Sequence, residues 1–262
     1  MPRRAEHKLD TKIIHSLDKG IQVLELVAAS GADAGLTELT EKLNWDKSTV
    51  FRLLTTLMRR GYVEQDPVTR RYRLGFQILR LEEQLFRSLD VPELSRETLN
   101  RLVQSTGEAA HLAALHHSRA VIIAQRESPE RVAVNAHVGS IEPLHCTALG
   151  KALLMQLPRE AFDRLMKQTK LAAYTNKTIT SRRRLLENMR QARQLGYTVD
   201  DEEFDPQVRC IAAPVTIPRS RQYYAIGISG PSSRLTLRRV PALAKHVLRA
   251  ADHFSRRFAE AD

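Results

Sequence analysis

Apolar residues at Leu17, Ile21, Leu24 and Val27/Ala28 recur at helical spacing and predict a first helix from an N-cap at Ser16 through Ala29. A break at 31–35 follows. Leu36, Leu39 and Leu43 then mark a second, short helix with Thr37 placed to cap it. After the Asn44-Trp45 turn, Val50, Leu53, Leu54 and Leu57 form one face of a third helix running from Asp46 to Arg60, with Gly61 as its C′ residue. Two short alternating runs flank Asp66-Pro67 and read as a hairpin, which Gly75 ends. A helix from Phe76 to Leu89 comes next, and Pro92 marks a boundary.

Beyond Pro92 the pattern alternates between helix and strand. Helices are predicted over 93–106, Thr147 to Met155, Arg159 to Lys167, Ser181 to Leu195 and Pro241 to Ala259. Strands are predicted over 109–115 and 119–126, turning at His116-His117-Ser118, and over 131–138, 211–217 and 223–228. The expected architecture is α+β: a mostly antiparallel sheet with helices packed on it, behind an all-helical start with a hairpin. The chain divides into a basic arm (1–15), a winged helix-turn-helix (16–75), a linker helix (76–91) and a larger second domain (92–262).

Helix, short helix, tight turn, helix and basic hairpin is the order of a winged helix-turn-helix. A helix entering the major groove presents short polar or basic residues at its N-terminal end while its rear face stays apolar. Lys47, Ser48, Thr49 and Arg52 occupy that end here. Thr69, Arg70 and Arg71 lie near the hairpin tip, suited to phosphate or minor-groove contact. Charge adds less than it first suggests. The net charge of +11 points to a polyanionic partner, but residues 1–88 carry only +3 of it. Within 45–73, however, seven Lys/Arg face three acids. Two cysteines, Cys146 and Cys210, suit a reducing compartment. No apolar stretch approaches the roughly 20 residues a membrane span needs. A cytoplasmic protein is expected.

The motifs S-L-D-K-G-I-Q-V-L-E-L, L-T-E-L-T-E-K-L-N, K-S-T-V-F-R-L-L-T-T-L and G-Y-V-E-Q-D-P-V-T-R-R-Y-R-L-G resemble the IclR-type (isocitrate lyase regulator) family of bacterial transcription factors. L-H-C-T-A-L-G-K-A-L-L, R-Q-L-G-Y-T-V-D-D-E-E-F, V-R-C-I-A-A-P-V and A-I-G-I-S-G-P extend the resemblance, in order, through most of the chain. The resemblance implies a linker helix leading to a GAF-like effector-binding domain. It also implies a homodimer, or a tetramer of paired dimers, on a palindromic operator of a catabolic operon. Two recognition helices about 34 Å apart would read successive major-groove faces. The family often has Leu-Pro where this chain has Trp45-Asp46, a change that either alters operator preference or packs the turn.

The resemblance further implies a pocket for a small organic acid, aromatic acids included. Its contacting positions would be Ala148, Leu149, Asp200, Cys210, Gly227 and Ser229. Residues 147–151 fall where a loop enters a helix, and free N–H groups there attract anions. Some carboxylate-binding members have a smaller residue than Leu149 and a hydroxyl where Gly227 stands, which suggests a larger or aromatic effector here. The competing class is a thiol hydrolase with a DNA-binding appendage, using Cys146 or Cys210 beside a histidine. His111, His116, His117 and His145 lack the close spacing of a metal site. Neither cofactor nor metal is expected. The acid run 200–203 reads as a loop with one residue facing the pocket, and Arg182-Arg183-Arg184 as solvent-exposed or a subunit contact.

Overall fold

A computed structural model describes residues 13–30, 33–88, 91–134, 136–217 and 222–261. Most of the basic arm, the end of the linker helix at Leu89 and Asn135 of the expected 131–138 strand lie outside the described residues. The chain divides into two compact units between Leu89 and Asp90.

In the first unit, α1 (His15–Ala29), α2 (Leu36–Leu43) and α3 (Lys47–Arg59) precede an antiparallel hairpin of β1 (Val63–Gln65) and β2 (Tyr72–Leu74), and α4 (Gln77–Ser88) follows. Val23, Val27, Ala34, Leu39, Val50, Leu54, Val63 and Tyr72 are its buried core. Ala34 exchanges both backbone hydrogen bonds with Tyr72, fastening the segment before α2 to the wing. The C-terminus of α3 closes as expected: Gly61 has φ +74, its N–H donates to the Met58 carbonyl, and Tyr62 N–H donates to the Leu57 carbonyl. These are the paired bonds of a Schellman cap, and they need the left-handed conformation that glycine adopts without strain.

Both expected N-caps in this unit are corrected. Ile14, not Ser16, precedes α1 and offers no side-chain cap. Gly35, not Thr37, caps α2, and the Glu38 carboxylate reaches back to accept the Gly35 N–H. A glutamate at N3 satisfies the orphan donor from inside the helix, so no hydroxyl is needed. The buried face of α1 also differs. Val23 and Val27 are buried, whereas Leu17 and Ile21 are exposed, because the core covers only the C-terminal half of the helix.

The second unit opens with α5 (Val91–Thr106). Pro92, expected as a boundary, sits in the first turn of α5, where its missing N–H costs nothing. The sheet holds β3 (Ala109–His116), β4 (Arg119–Arg126), β5 (Ile141–Pro143), β6 (Thr198–Asp201), β7 (Val208–Val215) and β8 (Tyr224–Pro231). Their order is β5-β4-β3-β8-β7-β6, and every pairing is antiparallel. Helix α5 and the terminal helix α9 (Val240–Ala261) cover one face, burying Leu99, Leu102, Val247 and Phe254 against Leu112, Ile211, Ile226 and Ile228. Helices α6 (Ala148–Met155), α7 (Arg159–Gln168) and α8 (Arg182–Leu195) cover the other, against Ala113, Ile122, Ala212 and Ala225. This is the expected α+β arrangement, with helices on both faces of the sheet.

Residues 131–134 and 136–138 are not in a strand. The apolar alternation there is real, but Val134 and Ala136 line a cavity instead of joining the sheet. The edge strands β5 and β6, too short to show a period in sequence, were not anticipated.

Candidate DNA-reading surface and effector pocket

At the start of α3, Asp46 is the N-cap. Its carboxylate accepts the Thr49 N–H at 2.8 Å and the Ser48 hydroxyl at 2.6 Å. The Ser48 bond first, then those from Thr49, hold its acidity well below the usual carboxylate range. The acid therefore remains charged where it stabilises the helix dipole. Trp45 is partly buried against the core, and Lys19 lies over its ring at 5.1 Å. Packing of the turn is thus the visible role of Trp45-Asp46.

Val50 and Leu54 are buried and Leu53 and Leu57 partly so, which leaves Lys47, Ser48 and Arg52 exposed on the opposite side. The wing tip is organised by Asp66, whose carboxylate accepts the N–H groups of Val68 and Thr69 and the Thr69 hydroxyl. Arg70 has φ 57 and is exposed. Arg71 makes contacts within the domain that its place in the sequence does not show. Its guanidinium donates to both Glu38 oxygens (2.9 and 2.8 Å) and to the Asp33 carbonyl (2.7 Å), tying the wing to α2.

In the second unit a cavity of about 290 Å³ lies on the α6 side of the sheet. That is at the small end of ligand pockets, which run roughly 300–1,000 Å³. Strand register builds its floor. Ser229, Cys210 and Asp200 are paired across β8, β7 and β6. The next row of the same face is His111, Gly227, Ala212 and Thr198. The N-terminus of α6 roofs it with Thr147, Ala148 and Leu149, and Val134, Ala136 and residues 140–142 with Phe204 close the sides. All six effector positions implied by the sequence resemblance therefore line one cavity.

Thr147 caps α6 by accepting the Gly150 N–H while donating to the Pro143 carbonyl. Lys151 N–H bonds the Thr147 carbonyl. The N–H groups of Ala148 and Leu149 belong to the first turn, whose donors have no intrahelical partner. At Gly227 the space is narrower than a missing side chain suggests. A Cβ there would lie 2.5 Å from the Ile211 carbonyl oxygen and 2.8 Å from the Ala212 Cβ. Glycine is thus required by the close approach of β7, and its presence does not enlarge the pocket.

Among the described residues three acids, Glu142, Asp200 and Asp205, line the cavity, and no lining residue is Lys or Arg. Burial pushes Asp200 up to about 7, against the opposing Glu203 N–H bond and nearby Lys151. Burial likewise pushes Glu142 up to about 7, eased by the Thr147 hydroxyl. His111 is 3% exposed, and burial pushes it down to about 4. Its Nε2 lies 2.7 Å from the Ser229 Oγ, while its Nδ1 has no hydrogen-bond partner. Leaving a buried polar atom unpaired costs on the order of 1–3 kcal/mol.

On α6, Lys151 is fully buried and its ammonium donates to the Val199 carbonyl and the Glu203 carboxylate. Glu203 N–H donates to Asp200 at 2.7 Å, so the ion pair and the pocket acid form one chain. Asp200 has a further consequence. Its folded-state pKa is raised, so between about pH 4 and 7 the folded protein binds more protons than the unfolded one. Stability from this group is therefore present at low pH and lost as pH rises toward 7. The stability of the wild type minus that of Asp200→Asn is expected to fall across this window and level off above it. Urea unfolding of both proteins from pH 5 to 8 measures the difference, and a rising or flat difference would refute the assignment.

Comparison with known proteins now bears on both surfaces. The family model for bacterial transcriptional regulator IclR C-terminal matches residues 83–256, and that for the IclR helix-turn-helix domain matches 16–67. The chain belongs to the IclR family. It is 33% identical over 246 residues (94% of this chain, 88% of the relative) to the HTH-type transcriptional regulator BhcR of Paracoccus denitrificans. It is 33% identical over 240 residues (91% and 88%) to the transcriptional repressor IclR of Escherichia coli. An IclR homologue from Microbacterium hydrocarbonoxydans, solved in complex with 4-hydroxybenzoate, shares the fold at TM-score 0.79 and 19% identity, covering 94% of this chain and 99% of that one. The two units are accordingly the DNA-binding and effector-binding domains of an IclR-family transcriptional regulator.

Within that frame, the thiols are poorly suited to nucleophilic catalysis. Burial, then the charges of Asp200 and Glu203, push Cys146 up to about 12, and burial pushes Cys210 well above its ordinary value. Reactive cysteines need the opposite environment. Among the described residues no three of His, Cys, Asp and Glu converge to hold a metal ion, and no helix is long and apolar enough to cross a membrane. The pocket residues missed in sequence were His111, Glu142 and Phe204. No local motif marks His111 or Glu142, which strand register and the short edge strand β5 bring in, whereas Phe204 ends the R-Q-L-G-Y-T-V-D-D-E-E-F motif.

Proposed function

We propose that this IclR-family regulator controls a catabolic operon by sensing a small organic acid, a single-ring aromatic acid fitting best. The supporting observation is the 290 Å³ cavity that gathers Ala148, Leu149, Asp200, Cys210, Gly227 and Ser229 beneath the first turn of α6. An acid's oxygens would meet the Ala148 and Leu149 N–H groups, with the helix dipole behind them. Its ring would lie along Leu149, Phe204 and Val134. The bulk of Leu149 and the aromatic wall favour a ring over a two- or three-carbon acid.

On DNA, Lys47 and Arg52 are the proposed donors of the recognition helix, with Thr49 beside them. The Ser48 hydroxyl hydrogen is held by Asp46, so Ser48 is suited to accept from a base edge rather than donate to phosphate. Thr69 and Arg70 contact the backbone at the wing. Arg71 acts at one remove, fixing the wing on Glu38. Two copies of the chain bind the two halves of a palindromic operator, alone or as paired dimers. Ile14, just before α1, and Leu17 and Ile21 on it are exposed apolar surface that a second copy would cover. Effector binding then shifts the operator equilibrium by its differential affinity for the two states.

A thermal-shift panel on the full chain tests the sensing claim, using benzoate, 4-hydroxybenzoate, pyruvate and benzyl alcohol. Stabilisation by the aromatic acids and not by the alcohol is expected, and no response to any acid would remove the reading. For the DNA claim, Arg52→Ala is expected to weaken operator binding by about 1–3 kcal/mol if the guanidinium reads a base pair. Fluorescence-anisotropy titration across salt concentrations reads this directly. Unchanged affinity and unchanged salt slope would displace Arg52 from the interface.

A further inference from the structure

We propose that His111 is an effector-anchoring residue, its Nδ1 donating to an anionic oxygen of the bound acid while Ser229 sets the tautomer. This rests on the organic-acid reading and adds a contact that the sequence motifs do not mark. His111 stands on the pocket face of β3, opposite Gly227. With no side chain across from it, the imidazole leans diagonally to Ser229, where Nε2 and Oγ lie 2.7 Å apart. If the Ser229 hydroxyl donates that bond, the neutral ring carries its proton on Nδ1.

The Nδ1 atom is buried and unpartnered in a residue that lines the cavity. The remaining ionisable oxygens of the lining belong to Glu142, Asp200 and Asp205, and none of them offers an N–H or a positive charge. Among the described residues, His111 is thus the one lining side chain able to supply a nitrogen donor to an acid, or to become a cation beside it. The N–H groups of Ala148 and Leu149 would meet the acid from the roof, and His111 from the floor.

Three substitutions separate this role from a structural one. His111→Phe keeps a ring and removes both nitrogens. His111→Asn keeps a donor near the Nδ1 position, whereas His111→Gln keeps one near Nε2 and the link to Ser229. Calorimetric titration of the full chain with benzoate and 4-hydroxybenzoate is expected to show affinity falling roughly 10- to 100-fold in His111→Phe. It should recover more in His111→Asn than in His111→Gln. Recovery by His111→Gln instead would mean that His111 serves only to hold Ser229, and equal affinity in all variants would also overturn the proposal.

A second measurement needs no variant. The imidazole ¹⁵N resonances of the wild type are expected to move at Nδ1 when benzoate is added, and an unmoved Nδ1 at saturation would overturn the contact. If neither acid binds the wild type, the organic-acid reading fails and carries this one with it. If the acids bind but ignore His111, this one fails alone.

Discussion

Replacing Lys151 with methionine is expected to lower the stability of the effector-binding domain by about 3–5 kcal/mol. The ammonium has no exposure to solvent, and its partners are the Val199 carbonyl and the Glu203 carboxylate. Methionine fills nearly the same length, so the loss is electrostatic rather than a cavity. Glu203 would be left as a buried carboxyl whose Oε2 already lacks a partner. Burial raises its pKa and Lys151 opposes that rise, so without the lysine it would take up a proton. The double replacement Lys151→Met with Glu203→Leu is expected to recover much of the loss, because an apolar pair of similar volume carries no uncompensated charge. Urea unfolding monitored by far-ultraviolet circular dichroism measures both. A change below about 1 kcal/mol in the single variant would show that the pair is not buried as described. The single variant should also weaken effector binding, since the same loop positions Asp200 through the Glu203 N–H.

Leu54→Ala is expected to destabilise the DNA-binding domain by about 2–5 kcal/mol while leaving the effector-binding domain unchanged. Leu54 is fully buried on the rear of α3, within a core of eight buried residues. So small a core has little stability in reserve, and losing a large side chain from its centre removes much of it. The chain carries one tryptophan, Trp45, and it packs in this domain. Tryptophan fluorescence therefore reports the DNA-binding domain alone, and circular dichroism reports both domains. The fluorescence transition should move to lower urea and the dichroism curve should become biphasic, its later step at the wild-type midpoint. A concerted shift of both signals would show that the two domains unfold as one. Lys151→Met provides the mirror image, moving the effector-domain transition to lower urea and sparing the fluorescence.

The DNA-reading half was largely legible from local chemistry. The apolar face of α3, Gly61 after it and the Asp66-Pro67 turn each depend on neighbours a few residues away, and each appears where the pattern placed it. The N-caps at Ser16 and Thr37 failed for an equally local reason. An extended Ile14 and a back-reaching Glu38 close those helix ends without a hydroxyl. For Arg71 the sequence shows a basic residue near the wing tip, and its contact with Glu38, 33 residues away, emerges only in the fold.

Sequence by itself determined the helices, the longer strands, the basic start of α3, the two-domain division and, through family motifs, six positions facing one cavity. These follow from periodicity, turn chemistry and recurring short segments, all of them local. Tertiary structure alone decided that β3 pairs with β8, that Val134, Ala136 and residues 140–142 wall the pocket, and that Lys151 meets Glu203 beside it. It also decided that His111, an isolated histidine on an apolar strand, faces the cavity with a nitrogen unpaired. The reason is physical. Charges and hydrogen-bond donors acquire their roles from what the folded chain places within about 3 Å of them. Across an antiparallel sheet those neighbours come from residues far apart in sequence.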